Sequence, residues 1–264
     1  MGHGALSQSQ RRKQTPCPDG DVGALPIIAV TGLKTEARIA SGPRIVTLSG
    51  CGDVLGLAQR IEAAAANEAS AIISFGVAGG LAMGLAPGTK LVARTVITED
   101  GARYYSDPVW SERLATLGEA LIADIAGIDL PVAGIAERRA LHLKTGALVA
   151  DTESHVAARI ADAYGLPFAA FRVVADPAHR QLPHAALVAI RPDGSLAFGA
   201  ILGSLLKNPR QVPQLMRTAN DARAAFVALF RGRKMLAGRL GFCDFSEFLL
   251  DVPAEDVVGG PLPV

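Results

Sequence analysis

Three acidic residues in the stretch from Gly146 to Asp176 stand where an α/β enzyme places its chemistry. The stretch reads as an apolar strand, the acidic cluster Asp151-Thr152-Glu153, an amphipathic helix, a second apolar strand and then Asp176. Side chains at the carboxyl edge of a parallel sheet face an open crevice, while the strand interiors are buried. Asp151 and Glu153 belong to one such edge and Asp176 to the next. Three acids at one crevice repel one another unless a ligand or a proton transfer uses them. The same spacing also suits a helix N-terminus with two capping acids followed by a turn aspartate, and spacing alone does not separate the two. Arg172 lies inside the second apolar strand, where a lone cation needs a partner, and a site acid is the expected one.

The elements that must position these residues follow from periodicity. Strands are predicted at Pro26–Thr31, Arg44–Leu48, Ala71–Phe75, Lys90–Thr98, Leu148–Ala150 and Phe168–Val174. Helices are predicted at Lys34–Ala40, which carries Glu36, and at Asp53–Asn67, Val109–Ile125 and Ser154–Tyr164. Glu99–Pro108 reads as a polar loop with two tyrosines. Ala185–Phe230 reads as mostly helical, broken at Arg191–Ser195, Pro209 and Pro213. Strands alternating with helices imply an α/β fold in three layers, α/β/α, around a mixed, largely parallel sheet. Residues 1–25 are polar and unpatterned and read as a disordered extension. Residues 26–238 form the domain, and 239–264 a Pro/Gly-rich peripheral tail.

Two glycine-rich segments follow strands. Ser49–Gly56 (SGCGDVLG) opens a helix, as a phosphate or dinucleotide loop does. Its GxGxxxG spacing departs from the dinucleotide fingerprint, and no acid ends a strand at the expected distance beyond it. Tight turns alone also account for these glycines. Phe75–Gly80 (FGVAGG) ends a strand in small residues that let backbone amides approach a ligand closely.

Composition narrows the function classes. Half of the chain is hydrophobic and 19% is charged, which supports a large core. A net charge of +1 and few aromatics argue against a nucleic-acid binder. The three cysteines are too scattered for a metal site or a disulfide framework and read as reduced thiols of a cytoplasmic protein. No apolar run reaches the length of a membrane span. The positive mean hydropathy fits either a deeply buried core or an apolar surface that meets lipid.

Four motifs in series resemble the purine nucleoside phosphorylase and methylthioadenosine nucleosidase superfamily over about Ile27–Phe230. They are Thr31–Ala37 (TGLKTEA), Ser49–Gly52 (SGCG), Ser74–Gly80 (SFGVAGG), and the pair Asp151–Ser154 (DTES) with Arg172–Asp176 (RVVAD). Within the superfamily, TGLKTEARIA, TGALVADTES and RVVADPAHRQLP are most similar to the hopanoid-associated branch. That branch is thought to remove adenine from adenosylhopane, giving ribosylhopane.

The resemblance implies a nucleoside phosphorylase-like fold and cleavage of an N-glycosidic bond through an oxocarbenium-like transition state. It implies that Asp176 protonates the purine N7, that Glu153 anchors the ribose hydroxyls, and that Glu36 orients the attacking water. Ser49, Gly76, Val77, Ala78, Gly79 and Thr152 are the further substrate-binding positions. Read as residues only, Glu36 also suits a surface helix acid, Glu153 a helix N-terminal charge and Asp176 a turn before Pro177. Val77 stands where phosphate-using members place a hydroxyl, which favours water over phosphate as nucleophile. Ser49, Arg38 or backbone amides leave inorganic phosphate open as a co-substrate. Thr152 replaces a methionine beneath the ribose, and Ala175 replaces a serine beside the aspartate.

No metal or other cofactor is implied. The expected partner is a small adenosine derivative with an apolar 5′ group. Leu182–Ile190 and Leu196–Leu206 are apolar enough to line a channel for it, to rest on the inner membrane surface with Lys207, Arg210 and Arg217, or to form a core or subunit contact. The resemblance further implies a homo-oligomer. A phosphorylase of the same fold, a methylthioadenosine or adenosylhomocysteine nucleosidase, and a non-catalytic nucleoside-binding protein are the alternatives.

Overall fold

The computed structural model describes residues 25–181 and 212–243. Among these residues eight strands and six helices alternate. The strands are β1 (Ile27–Thr31), β2 (Ile45–Ser49), β3 (Ala71–Gly80), β4 (Lys90–Thr98), β5 (Arg103–Tyr105), β6 (Leu121–Gly127), β7 (Val149–Asp151) and β8 (Phe168–Asp176). The helices are α1 (Lys34–Ala40), α2 (Val54–Ala66), α3 (Pro108–Gly118), α4 (Ile135–Thr145), α5 (Ser154–Ala163) and α6 (Val212–Met235).

The strands form one mixed sheet in the order β2-β1-β3-β7-β6-β4-β5, and β8 bridges β3 and β4. Five pairings are parallel, and β3–β7, β4–β5 and β4–β8 are antiparallel. Because β8 joins β3 to β4, the strands β3, β7, β6, β4 and β8 close into a ring. Side-chain alternation along β1 divides the core between the two faces of the sheet. Ile28 and Val30 pack with Leu57 and Ile61 of α2 and Val156 and Ile160 of α5. Ile27 and Ala29 pack with Trp110 and Leu114 of α3 and Ala225 and Leu229 of α6. The expected three layers and largely parallel sheet are therefore present.

Local chemistry explains the boundaries. Asp53 accepts a hydrogen bond from the Gly56 amide at 2.9 Å and starts α2. Asp107 accepts one from Trp110 at 2.7 Å, with Pro108 in the first turn of α3. The helix predicted to run to Ile125 stops at Gly118, because Glu119 turns left-handed, and Leu121–Gly127 becomes β6. The tyrosines of the predicted polar loop form β5 against β4. Helix α4 was not expected; Gly134 begins it and Gly146, at φ 73°, ends it. Pro213 lies in the first turn of α6, which begins at Val212, a position where proline is tolerated.

The chain stays on the core past residue 238. Leu240 is buried and its carbonyl accepts the Trp110 indole N–H at 3.0 Å, while Phe242 packs edge-on to that indole. Cys243 is disulfide-bonded, so it is not the reduced thiol that the sequence suggests. No described helix is long and apolar enough to cross a membrane. The extension over 1–25, save Leu25, and the segments 182–211 and 244–264 lie outside the described residues.

Candidate active site

The carboxyl ends of β1, β3, β7 and β8 converge on one buried cation. Arg172, fully buried on β8, donates from Nη2 to Asp151 Oδ1 at 2.9 Å and to Glu153 Oε2 at 3.3 Å. It also donates to the Ser74 hydroxyl, and from Nη1 to the Val77 carbonyl at 3.3 Å. The expected pairing of Arg172 with site acids is thus met twice over.

Asp151 does not face the crevice as a third chemical acid. Its Oδ1 accepts the amides of Glu153 and Ser154 at 2.9 and 2.6 Å, and its Oδ2 accepts the Ser154 hydroxyl at 2.7 Å. It therefore closes the start of α5 and holds Arg172. The capping reading is right for Asp151 and not for Glu153, whose side chain makes no cap bond.

Glu153 lies over the β1 turn: a Cβ on Gly32 would stand 3.0 Å from its Oε1. The Thr152 hydroxyl donates to that same oxygen. Burial pushes the Glu153 carboxyl up to about 7; Arg172 opposes the rise, and Asp151 and Glu36 add to it.

Glu36 is buried, so it is not a surface helix acid. It sits in the first turn of α1 and reaches back to the turn that precedes it. Oε2 accepts the Gly32 and Leu33 amides, both at 2.8 Å, and Oε1 accepts the Val77 amide at 2.7 Å. Burial raises its pKa, against the pull of Arg172 and the three amides. Gly76 makes this approach feasible, since a Cβ there would lie 2.6 Å from Glu36 Oε1 and 2.8 Å from Arg172 Nη1.

The segment expected as a glycine loop is the second half of β3. It continues in register with β8 through Ala78–Val174, and then Gly79 pairs with Asp176. Ala175 is the extra residue of this β-bulge. Bulges re-aim side chains beside active sites, and this one brings Asp176 to Gly79, where a Cβ would lie 3.5 Å from the carboxylate. The strand positions that meet Glu36 and Asp176 are three residues apart, about 10 Å along an extended chain.

Asp176 is ion-paired through Oδ2 with Arg138 of α4, and its side chain is 16% exposed. Burial raises its carboxyl above the ordinary aspartate range; Arg138 pulls the other way, and Asp221 of α6 adds to the rise. Arg138 was missed in the sequence because α4 was missed. Its bounding glycines, with Glu137 at the third helical position, are the signal that would have found it.

Ser49 hydrogen-bonds the Thr31 hydroxyl at 3.0 Å, and its carbonyl accepts Arg60 Nη2 at 3.1 Å. It therefore braces the β1 and β2 ends. Ala78 is buried between the two acid positions, and the Val77 side chain packs against the apolar cluster of Phe75, Phe171 and Val173. Among the described residues no group of three His, Cys, Asp or Glu side chains could hold a metal.

Buried acids from α1 and from the end of β7, with Asp176 at the end of β8, thus lie along one glycine-bearing strand of an α/β fold. The chain belongs to the phosphorylase superfamily, whose family model matches residues 24–207. Solved structures share the fold. Futalosine hydrolase of Helicobacter pylori superposes with a TM-score of 0.55 at 15% identity, over 70% of this chain and 98% of that one. The 5′-methylthioadenosine/S-adenosylhomocysteine nucleosidase of Helicobacter pylori gives 0.55 at 13% identity, over 81% and 98%. The Campylobacter jejuni nucleosidase of the same name gives 0.53 at 14%, over 80% and 98%. No curated protein matches the chain in sequence.

Proposed function

We propose that this protein hydrolyses the N-glycosidic bond of a 5′-substituted adenosine, releasing adenine, and that adenosylhopane is the substrate. The observation that carries the reaction class is the bulge that sets Asp176 beside Gly79, along the same strand that Glu36 grips at Val77. Two carboxyls, both with a pKa raised by burial, thus meet the carboxyl half of β3 at neighbouring positions, Glu36 at Val77 and Asp176 at Gly79.

In the reaction, Asp176 gives its proton to purine N7 and the C1′–N9 bond breaks toward the base. Glu153 holds the ribose hydroxyls and stabilises the positive charge that grows on the sugar. Glu36 orients a water beneath C1′ and receives its proton as the C1′–O bond forms. Proton exchange with solvent then resets both acids.

Two features support water over phosphate. Val77 offers no hydroxyl, and the buried Arg172 is already taken by Asp151 and Glu153. The hopanoid substrate is supported by the resemblance of TGLKTEARIA, TGALVADTES and RVVADPAHRQLP to that branch. The segments proposed to meet its apolar skeleton or a membrane, Leu182–Ile190 and Leu196–Leu206, lie outside the described residues. A homo-oligomer belongs to the same reading.

The test is adenine release from adenosylhopane and from methylthioadenosine, each with and without phosphate. Phosphate-independent release from adenosylhopane is expected. Strict phosphate dependence would make the protein a phosphorylase, and release from methylthioadenosine alone would overturn the hopanoid assignment. No release from either would leave a nucleoside-binding protein.

A further inference from the structure

The guanidinium of Arg138 ties together two segments that flank the site. Arg138 is 2% exposed. Its Nε donates to the Val132 carbonyl at 2.9 Å, its Nη1 to the Pro177 carbonyl at 3.3 Å, and its Nη2 pairs with Asp176 Oδ2. One planar group therefore fixes the segment before α4, the backbone just after β8 and one oxygen of the Asp176 carboxylate. The guanidinium is held by the two backbone carbonyls and meets the carboxylate as a single ion pair, one nitrogen on Oδ2, which draws that oxygen toward α4. Among the described residues Asp176 Oδ1 accepts no hydrogen bond and lies on the Gly79 side, 3.6 Å from a Cβ built there.

We propose that Arg138 is the positioning residue for Asp176, locking Oδ2 so that Oδ1 alone meets the purine and stabilising the carboxylate left after proton transfer. This rests on the reading of Asp176 as proton donor. It also answers a gap in the sequence: Ala175 offers no side-chain hydroxyl to orient its neighbour, and the bulge at that residue leaves the task to another element. Helix α4 supplies the group. When Asp176 passes its proton to N7, the O–H bond breaks, the N–H bond forms, and the new anion is already paired. The transferring state is therefore favoured over the resting acid. Among the described residues the other charges near Asp176 are Asp221 of α6 and its partner Arg180, which Arg138 does not contact.

The experiment compares Arg138→Gln, Arg138→Lys, Asp176→Asn and the double variant R138Q/D176N. Each is assayed for adenine release from adenosylhopane across pH, with thermal denaturation alongside. R138Q is expected to lower kcat by roughly 10–100-fold, a part of what a general acid supplies, with little change in KM. Its alkaline limb should move to higher pH, because removing a cation raises the pKa of the acid beside it. R138K should return the limb toward its original position. R138Q should add nothing further in the D176N background, since its effect is exerted through the carboxylate. Wild-type kcat and an unmoved limb in R138Q would overturn the proposal. So would equal losses from R138Q in both backgrounds, which mark a purely structural role. Full activity in D176N would instead overturn the reading of Asp176 as the acid, and this inference with it.

Discussion

Arg172 and Asp151 meet at 2.9 Å with both side chains sealed from solvent. The pair joins β8 to the start of α5, and Glu153 shares the same cation. Removing one partner of such a pair leaves a buried uncompensated charge, at a cost of roughly 3–5 kcal/mol. Arg172→Met should therefore lower the urea midpoint strongly, with both Asp151 and Glu153 left facing each other. An unchanged midpoint would show that the two acids protonate freely and that the arginine is dispensable to the fold.

Gly76 and Gly79 lie on one strand and should respond oppositely to alanine. At Gly76 the added methyl meets Glu36 Oε1 at 2.6 Å and Arg172 Nη1 at 2.8 Å, and both are locked by other bonds. Overpacking of that kind typically costs about 1–3 kcal/mol, and it also moves Glu36. Gly76→Ala should be destabilised and nearly inactive. At Gly79 the nearest atoms stand at 3.5 and 3.6 Å, ordinary contact distance. Gly79→Ala should keep its stability within about 0.5 kcal/mol. Equal stability of the two variants would contradict the packing described for Gly76.

The contrast between these glycines shows what the sequence could and could not convey. FGVAGG looks like a loop because glycine weakens a strand. It remains a strand here because β8 pairs along it and because Glu36 and Arg172 occupy the space beside Gly76. Helix α1 and strand β4 were legible to the residue, since their patterning and flanking turns agree. Of the acids singled out in the sequence, Glu36 and Glu153 lie together around Arg172, and Asp176 lies further along β3 at Gly79. Asp151 was not separable from Glu153 by spacing, because two acids flanking a single residue give no hint of which one caps the helix. Arg138 was hidden for a different reason: its partner is on another element, and only the fold brings α4 to the end of β8.

Burial gives Glu153 a role in pH-dependent stability. Its carboxyl titrates at about 7 in the fold, against 4.5 ordinarily. Between those values the folded state binds more protons than the unfolded chain, so stability falls as pH rises. This contribution is fully present below 4.5 and lost as pH passes 7; at about 1.4 kcal/mol per unit it reaches about 3 kcal/mol. The protein should be less stable at pH 8 than at pH 5. Glu153→Gln should reduce that slope, leaving the parts owed to Glu36 and Asp176, whose pKa values are raised as well. Urea midpoints at the two pH values measure it, and an identical slope in the variant would refute the assignment.

Glu36 tests chemistry and architecture together. Its two oxygens accept three backbone amides, from Gly32, Leu33 and Val77. An amide side chain has one acceptor oxygen and one NH₂ group, so Glu36→Gln cannot satisfy all three donors. Keeping oxygen toward Gly32 and Leu33 turns the NH₂ toward the Val77 N–H, donor against donor. An unsatisfied buried donor costs about 1–3 kcal/mol, and the variant should unfold correspondingly earlier. The lost carboxylate also removes the acceptor that orients water, which should lower kcat by roughly 10²–10⁴. Stability and rate separate in Glu36→Asp, which keeps the charge but withdraws it by one methylene. If Glu36 orients water, that variant should lose rate even where it folds as well as wild type. A Glu36→Asp protein with wild-type kcat would move the water-orienting role to another group, and Glu36 would remain only the clasp between β1 and β3.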